Sequence, residues 1–346
     1  MKNNFEKELE NMMKEEKEIP AKVRQSLDQS YDMIRAKSKK KKARFVWKRV
    51  AAVASAILVT GIILTNEQVM AGINGFFNFG DKGIDRAVTE GFALEDQSTA
   101  ADQGITITLA RHFSDANKIG MSFQIIFDDP AVLQNAEDIS MDYRLKNGDG
   151  EYIVEFIPDT KPLKGTNRHI AGLEDYNPIL NIEAGKVQFD VVMDSHNGSI
   201  PALQDAVVEI ESVDIFYGID RELKKIDGRW DLPVNNKSVE DGPAIEYVMN
   251  DEASLLHVSS AKANPTSMNI VFSVDKISYD DENAIAHHMK IIDENGEEFV
   301  SNGGFSMDRN GDGVVISTNF PITSYNSSAK LKLVVEGIGE VELVKK

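Results

Sequence analysis

A block of positive charge running straight into an uncharged apolar run constrains this chain more than any other feature. Lys39 to Lys42, Arg44, Lys48 and Arg49 crowd one flank, Val50 to Thr65 carries no charge, and no basic residue follows until Lys82. At a rise of about 1.5 Å per residue, the uncharged run alone gives roughly 24 Å of helix, short of a ~30 Å hydrocarbon core. Phe45, Val46 and Trp47 extend it upstream. Trp47 suits the interfacial belt, and Lys48 and Arg49 can reach back to the headgroups. The spacing therefore predicts a transmembrane helix over residues 46–65, with Trp47, Lys48 and Arg49 at its boundary. A buried core helix fits the length but not the lysine block. A cleaved signal fits the small residues around Val69-Met70-Ala71, but not an upstream segment of nearly fifty residues.

Charge also orients the span. Residues 1–49 carry 15 Lys and Arg against 8 Asp and Glu, whereas the whole chain of 346 residues has a net charge of −18. Positive residues stay inside, so the expectation is a single-pass protein of the cell membrane, its N-terminus cytoplasmic and its acidic bulk extracellular. That acidic bulk argues against nucleic acid, which demands dense Lys and Arg. With no cysteine, disulfides, thiolate metal sites and cysteine nucleophiles are excluded.

Residues 1–45 read as a cytoplasmic helical segment that binds a partner. Phe5, Leu9, Met12 and Met13 recur at helical spacing. Pro20 then opens a second helix in which Val23, Leu27, Tyr31 and Ile34 form one stripe. Two such short helices bury little area alone. They either lie solvated near the membrane or press their stripes into a partner's groove. The candidate partner-binding residues are Phe5, Leu9, Val23, Leu27, Tyr31 and Ile34.

Beyond the span the apolar period changes to two. Gly104 to Arg111 and Ile119 to Phe127 alternate strictly around a turn at Ser114 to Asn117. Further strands are expected at 141–145, 152–157, 187–193, 206–217 and 229–234. A second set lies at 268–274, 288–292, 298–300, 330–335 and 341–344. Short strands with Gly, Asn and Asp turns predict a mainly β protein with two extracellular β-sandwich (Ig-like) domains. The divisions are a juxtamembrane helix and linker over 66–100, a first β domain over 101–240, and a second over 241–346.

Few residues suggest chemistry. Asp308-Arg-Asn-Gly-Asp-Gly313 has the first half of a calcium loop, but Asn319 stands where the bidentate Glu belongs, and a hairpin turn fits better. His287 and His288 point to opposite faces of a strand, and His112, His169, His196 and His257 have no ligand spacing. No nucleophile motif or phosphate-cradling loop is present. No enzyme activity, cofactor or metal is expected.

The stretch Phe79-Gly-Asp-Lys-Gly83, followed by Ala87-Val-Thr-Glu-Gly91 and the Gly104-Ile-Thr-Ile-Thr108 strand, resembles a Gram-positive family of single-span proteins. The outer part of that family opens with a domain of unknown function. Looser similarity reaches Asn264-Pro-Thr-Ser-Met-Asn-Ile-Val-Phe-Ser-Val-Asp275. Members are often encoded beside extracytoplasmic-function sigma factors. The resemblance implies an anti-sigma factor, a signal-transducing regulator of transcription whose cytoplasmic piece holds the sigma factor. Zinc-type anti-sigma domains use a His/Cys cluster, so binding here would rest on apolar helix faces alone. The alternative is a cell-surface β-sandwich binding protein whose N-terminal segment only anchors it.

Overall fold

The computed structural model describes residue 77 and residues 80–346, apart from 167–172, 196–197, 219–221, 235–242, 251–254, 276–284, 286–287, 302–303, 312 and 327. The expected partner-binding and membrane-boundary residues all lie outside this set. Among the described residues no helix is long and apolar enough to cross a membrane, and the run at 46–65 is not among them.

The first element is an eight-residue helix, α1 (Lys82–Thr89). Strands β1 (Leu94–Asp102), β2 (Ile105–Ser114), β3 (Lys118–Phe127), β4 (Ala136–Lys146) and β5 (Tyr152–Phe156) follow. Next come β6 (Leu173–Asn181), β7 (Lys186–Asp194), β8 (Val207–Tyr217) and β9 (Glu222–Pro233). They form two antiparallel sheets, ordered β1-β2-β3-β7-β6 and β5-β4-β8-β9.

Alternation explains how the two sheets close on each other. Ile105, Ile107 and Leu109 of β2 and Ile119, Met121, Phe123 and Ile125 of β3 share one face. Ile139, Met141 and Tyr143 of β4 and Val208 and Ile210 of β8 do the same in the other sheet, and all join one apolar core. Burying each such side chain contributes roughly 1.5–3 kcal/mol. Trp230 is fully buried there, and its indole N–H donates to the Ile105 carbonyl at 2.9 Å, so its one polar atom is satisfied.

A second module has its own core. Strands β10 (Ile245–Met249), β11 (Leu256–Ala263), β12 (Met268–Val274), β13 (Met289–Asp293) and β14 (Glu298–Val300) lead into β15 (Phe305–Asn310). Then follow β16 (Gly313–Phe320), β17 (Lys330–Val335) and β18 (Gly339–Lys345). The order is β14-β13-β17-β18-β10-β11-β12-β16-β15. Strand β10 turns the corner: Ile245 and Glu246 pair with β11, whereas Tyr247 to Met249 pair with β18. The two arms of the sheet enclose Ile270, Phe272, Ile291, Ile316, Leu333 and Leu343.

One sequence expectation shifts in detail. Residues 66–100 are not linker to their end, because β1 begins at Leu94. The hairpin expected in place of a calcium loop is present: β15 pairs with β16, with Arg309 opposite Val314 and Asn310 opposite Gly313.

Candidate functional site at the helix junction

Helix α1 docks on the face of the five-stranded sheet that points away from the sandwich core. Asp81 starts it: its Oδ1 accepts from the Gly83 N–H at 2.7 Å and the Ile84 N–H at 3.2 Å, an N-cap that satisfies donors the helix cannot. Ile84 and Ala87 then turn inward against Phe77, Phe92, Phe113 and Val192, a third small core. The Phe113 ring lies over Gly120 of the neighbouring strand, where a Cβ would collide with it. Phe77 meets Phe113 edge-on, with centroids 4.9 Å apart. Tyr325 of the second module packs against the same cluster.

A ring of buried polar groups surrounds this core. Lys118 Nζ lies 2.7 Å from Asp81 and 3.1 Å from Asp194, and its side chain is only 6% exposed. Burial pulls this ammonium's pKa down, but the Asp194 and Asp81 carboxylates outweigh burial and hold it above the ordinary lysine value. One Asp81 carboxylate thus caps the helix with one oxygen and binds the sheet's lysine with the other. Nearby, Asp190 accepts from the Phe77 N–H at 2.7 Å and the Ser122 hydroxyl at 2.5 Å, with the Gln188 amide at 3.0 Å. Phe77 has a φ of 61°, a region that a non-glycine residue occupies at some strain. Burial pushes the Asp190 carboxyl up, against the pull of those hydrogen bonds.

The β2–β3 turn carries the junction to the second module. Asp115 Oδ1 accepts from the Asn117 and Lys118 N–H groups at 2.8 and 2.9 Å. Its Oδ2 accepts from the Thr266 N–H at 2.8 Å and the Thr266 hydroxyl at 2.7 Å. Some of the Asp115 surface still meets solvent, yet it is crowded enough that burial pushes its carboxyl up despite four donors. Asn117 donates to the Ser267 carbonyl, and Asn319 donates to the Ser195 carbonyl, both at 2.9 Å. Gly83 itself backs onto the Thr266 carbonyl oxygen, where a Cβ would collide. Helix, first module and second module therefore meet at one point.

This point joins two stretches singled out in the sequence. Phe79 to Gly83 supplies the cap and the glycine; Asn264 to Asp275 supplies Thr266 and Ser267. Neither stretch announces the contact, because a cap and a turn read as local features.

Away from the junction, the outer face of the β5-β4-β8-β9 sheet carries a charged cleft of about 300 Å³ lined by Tyr152, Lys164, Glu209, Glu211, Arg229 and Asp231. Buried Arg144 underlies it, pairing with Glu155 at 2.6 Å and with Glu211. His112 sits buried 3.5 Å from Asp96, and burial pulls its imidazole pKa down against the attraction of Asp96. His257 is exposed on β11, and His288 lies 3.5 Å from Glu336 at the surface. Among the described residues, no three His, Asp or Glu side chains converge as a ligand group.

Residues 40–126 match a family described as a domain of unknown function (DUF4179). The matched block runs from the lysine block to the end of β3, so it contains Asp81, Gly83, Asp115 and Lys118 but none of their second-module partners. Among solved structures, the chain is similar to one described as the crystal structure of the conserved domain protein from Bacillus anthracis. That likeness has 15% identity and a TM-score of 0.43, covering 70% of this chain and 76% of the other. No curated protein matches the chain.

Proposed function

We propose that this protein is a membrane-anchored signalling regulator. Residues 46–65 form its span, the β modules lie outside, and residues 1–45 hold a partner inside. The partner is an extracytoplasmic-function sigma factor, gripped by Phe5, Leu9, Val23, Leu27, Tyr31 and Ile34, which makes the protein an anti-sigma factor. One observation supports a relay above all others: α1, the first described helix after the apolar run, is fastened to both β modules at once. Whatever shifts those modules acts on the chain that leads back toward residue 65. The test is recovery of sigma factors with the full-length chain from solubilised membranes. Leu27→Asp and Tyr31→Asp are expected to abolish that recovery. Absence of sigma factor, or recovery indifferent to both changes, sinks the reading.

The charged cleft beside Arg144 favours a second reading, a surface protein whose outer modules bind a ligand while the N-terminal segment only anchors. Deleting residues 3–34 separates the two. Unchanged transcription with retained surface binding supports the second reading, and deregulated transcription supports the first.

A further inference from the structure

The geometry points to α1 as a latch: it stays helical and docked only while the two β modules are clamped together, and undocks when they part. Such a latch supplies the regulation of the relay proposed above and rests on that reading for its role. The coupling itself is readable with no inner partner present.

Three features force the linkage. First, a helix of eight residues is too short to persist alone, so α1 depends on what it packs against. Second, its contacts come from both modules. Phe113, Val192 and Lys118 belong to the first, while Tyr325 and the Thr266 carbonyl against Gly83 belong to the second. Third, the groups that hold α1 and those that hold the modules together are neighbours on the same short segments. Asp115, which binds Thr266, caps the turn that delivers Lys118 to Asp81. Asp194, the other partner of Lys118, immediately precedes Ser195, whose carbonyl accepts from Asn319. Moving the second module displaces one wall of the helix site and loosens both supports of Lys118. By linkage the converse holds equally, so freeing α1 must weaken the clamp by the same factor.

The experiment is amide hydrogen exchange on the full-length chain in detergent micelles. Thr266→Val with Asn319→Ala weakens the clamp by removing the hydroxyl bonded to Asp115 and the amide bonded to Ser195. The pair changes no residue of α1 and keeps the Thr266 carbonyl that faces Gly83. Exchange at the Asp85 to Thr89 amides is expected to rise at least about fivefold, the lower end of ordinary coupling between sites, with β7 and β12 still protected. In the reverse direction, Asp81→Ala is expected to speed exchange at Thr266, Ser267 and Ser324. Should Asp81→Ala not fold, Asp81→Asn keeps a capping side chain while giving up the ion pair with Lys118. Faster exchange at residues 264–267 with α1 unchanged overturns the latch. Coupling without sigma-factor recovery leaves the latch standing and removes the regulator reading; recovery without coupling does the opposite.

Discussion

Gly83 of α1 presses against the carbonyl oxygen of Thr266, a residue of the other β module, leaving no space for a Cβ between them. Its backbone N–H is meanwhile held by Asp81 at 2.7 Å, so the glycine cannot retreat without giving up the helix cap. The absence of a side chain is therefore what lets helix and second module approach.

Gly83→Ala tests this contact. In an isolated helix alanine would gain about 1 kcal/mol over glycine. Here the added methyl must push back a backbone carbonyl, and overpacking of this kind costs about 1–3 kcal/mol. The expected result is a net loss of stability in chemical denaturation, where helix propensity alone predicts a gain.

Lys118→Met tests the buried triad. Removing the ammonium leaves Asp81 and Asp194 facing each other out of water, and breaking a buried pair on one side costs about 3–5 kcal/mol. Adding Asp194→Asn to that variant should recover part of the loss, measurable as a non-additive cycle. The raised lysine pKa fixes the sign of its pH dependence. The contribution of Lys118 is complete below the ordinary lysine value and fades only as pH climbs through the higher folded value.

Asp190→Asn tests a carboxylate with the opposite consequence. Its pKa is raised in the folded state, so the folded chain keeps that proton longer than the unfolded one. Stability from this group is complete below about pH 4, near the unfolded value, and is lost as pH rises through the folded value. Asparagine keeps an acceptor for the Phe77 N–H, and Gln188 can turn its amide to match. Unfolding free energy measured against pH should therefore decline less steeply above pH 4 in the variant. The raised Asp115, Asp85 and Asp214 carboxyls keep the remaining slope. An unaltered profile would show that Asp190 does not titrate in this range.

Strands β2 and β3 were legible in the sequence because one face is apolar and the other mostly polar, which forces the period-two pattern. Strand β1 was not, because Leu-Glu-Asp-Gln-Ser-Thr-Ala-Ala-Asp buries only Asp96 and lies at a sheet edge. Strand β6 hid for a similar reason, with Pro178 in an edge position that a central strand would not tolerate. The charged first half of β9, Glu222 to Asp227, likewise lacks alternation, so only the end around Trp230 stood out. The junction was legible as two motifs but not as a contact, since Asp81 and Thr266 are joined by topology rather than by spacing. The inner stripe from Phe5 to Ile34 and the boundary residues Trp47, Lys48 and Arg49 fall outside the described residues.

The position of β18 sets the order in which these parts can become available. It is the last described strand in the chain, yet it lies between β17 and β10 near the middle of its sheet. During vectorial synthesis the β14-β13-β17 arm therefore cannot join β10 until residues 339–345 emerge, after the segments that seat α1 have been made. A newborn chain would pass through a stage with that second core open on one side, closed only when β18 bridges β17 and β10.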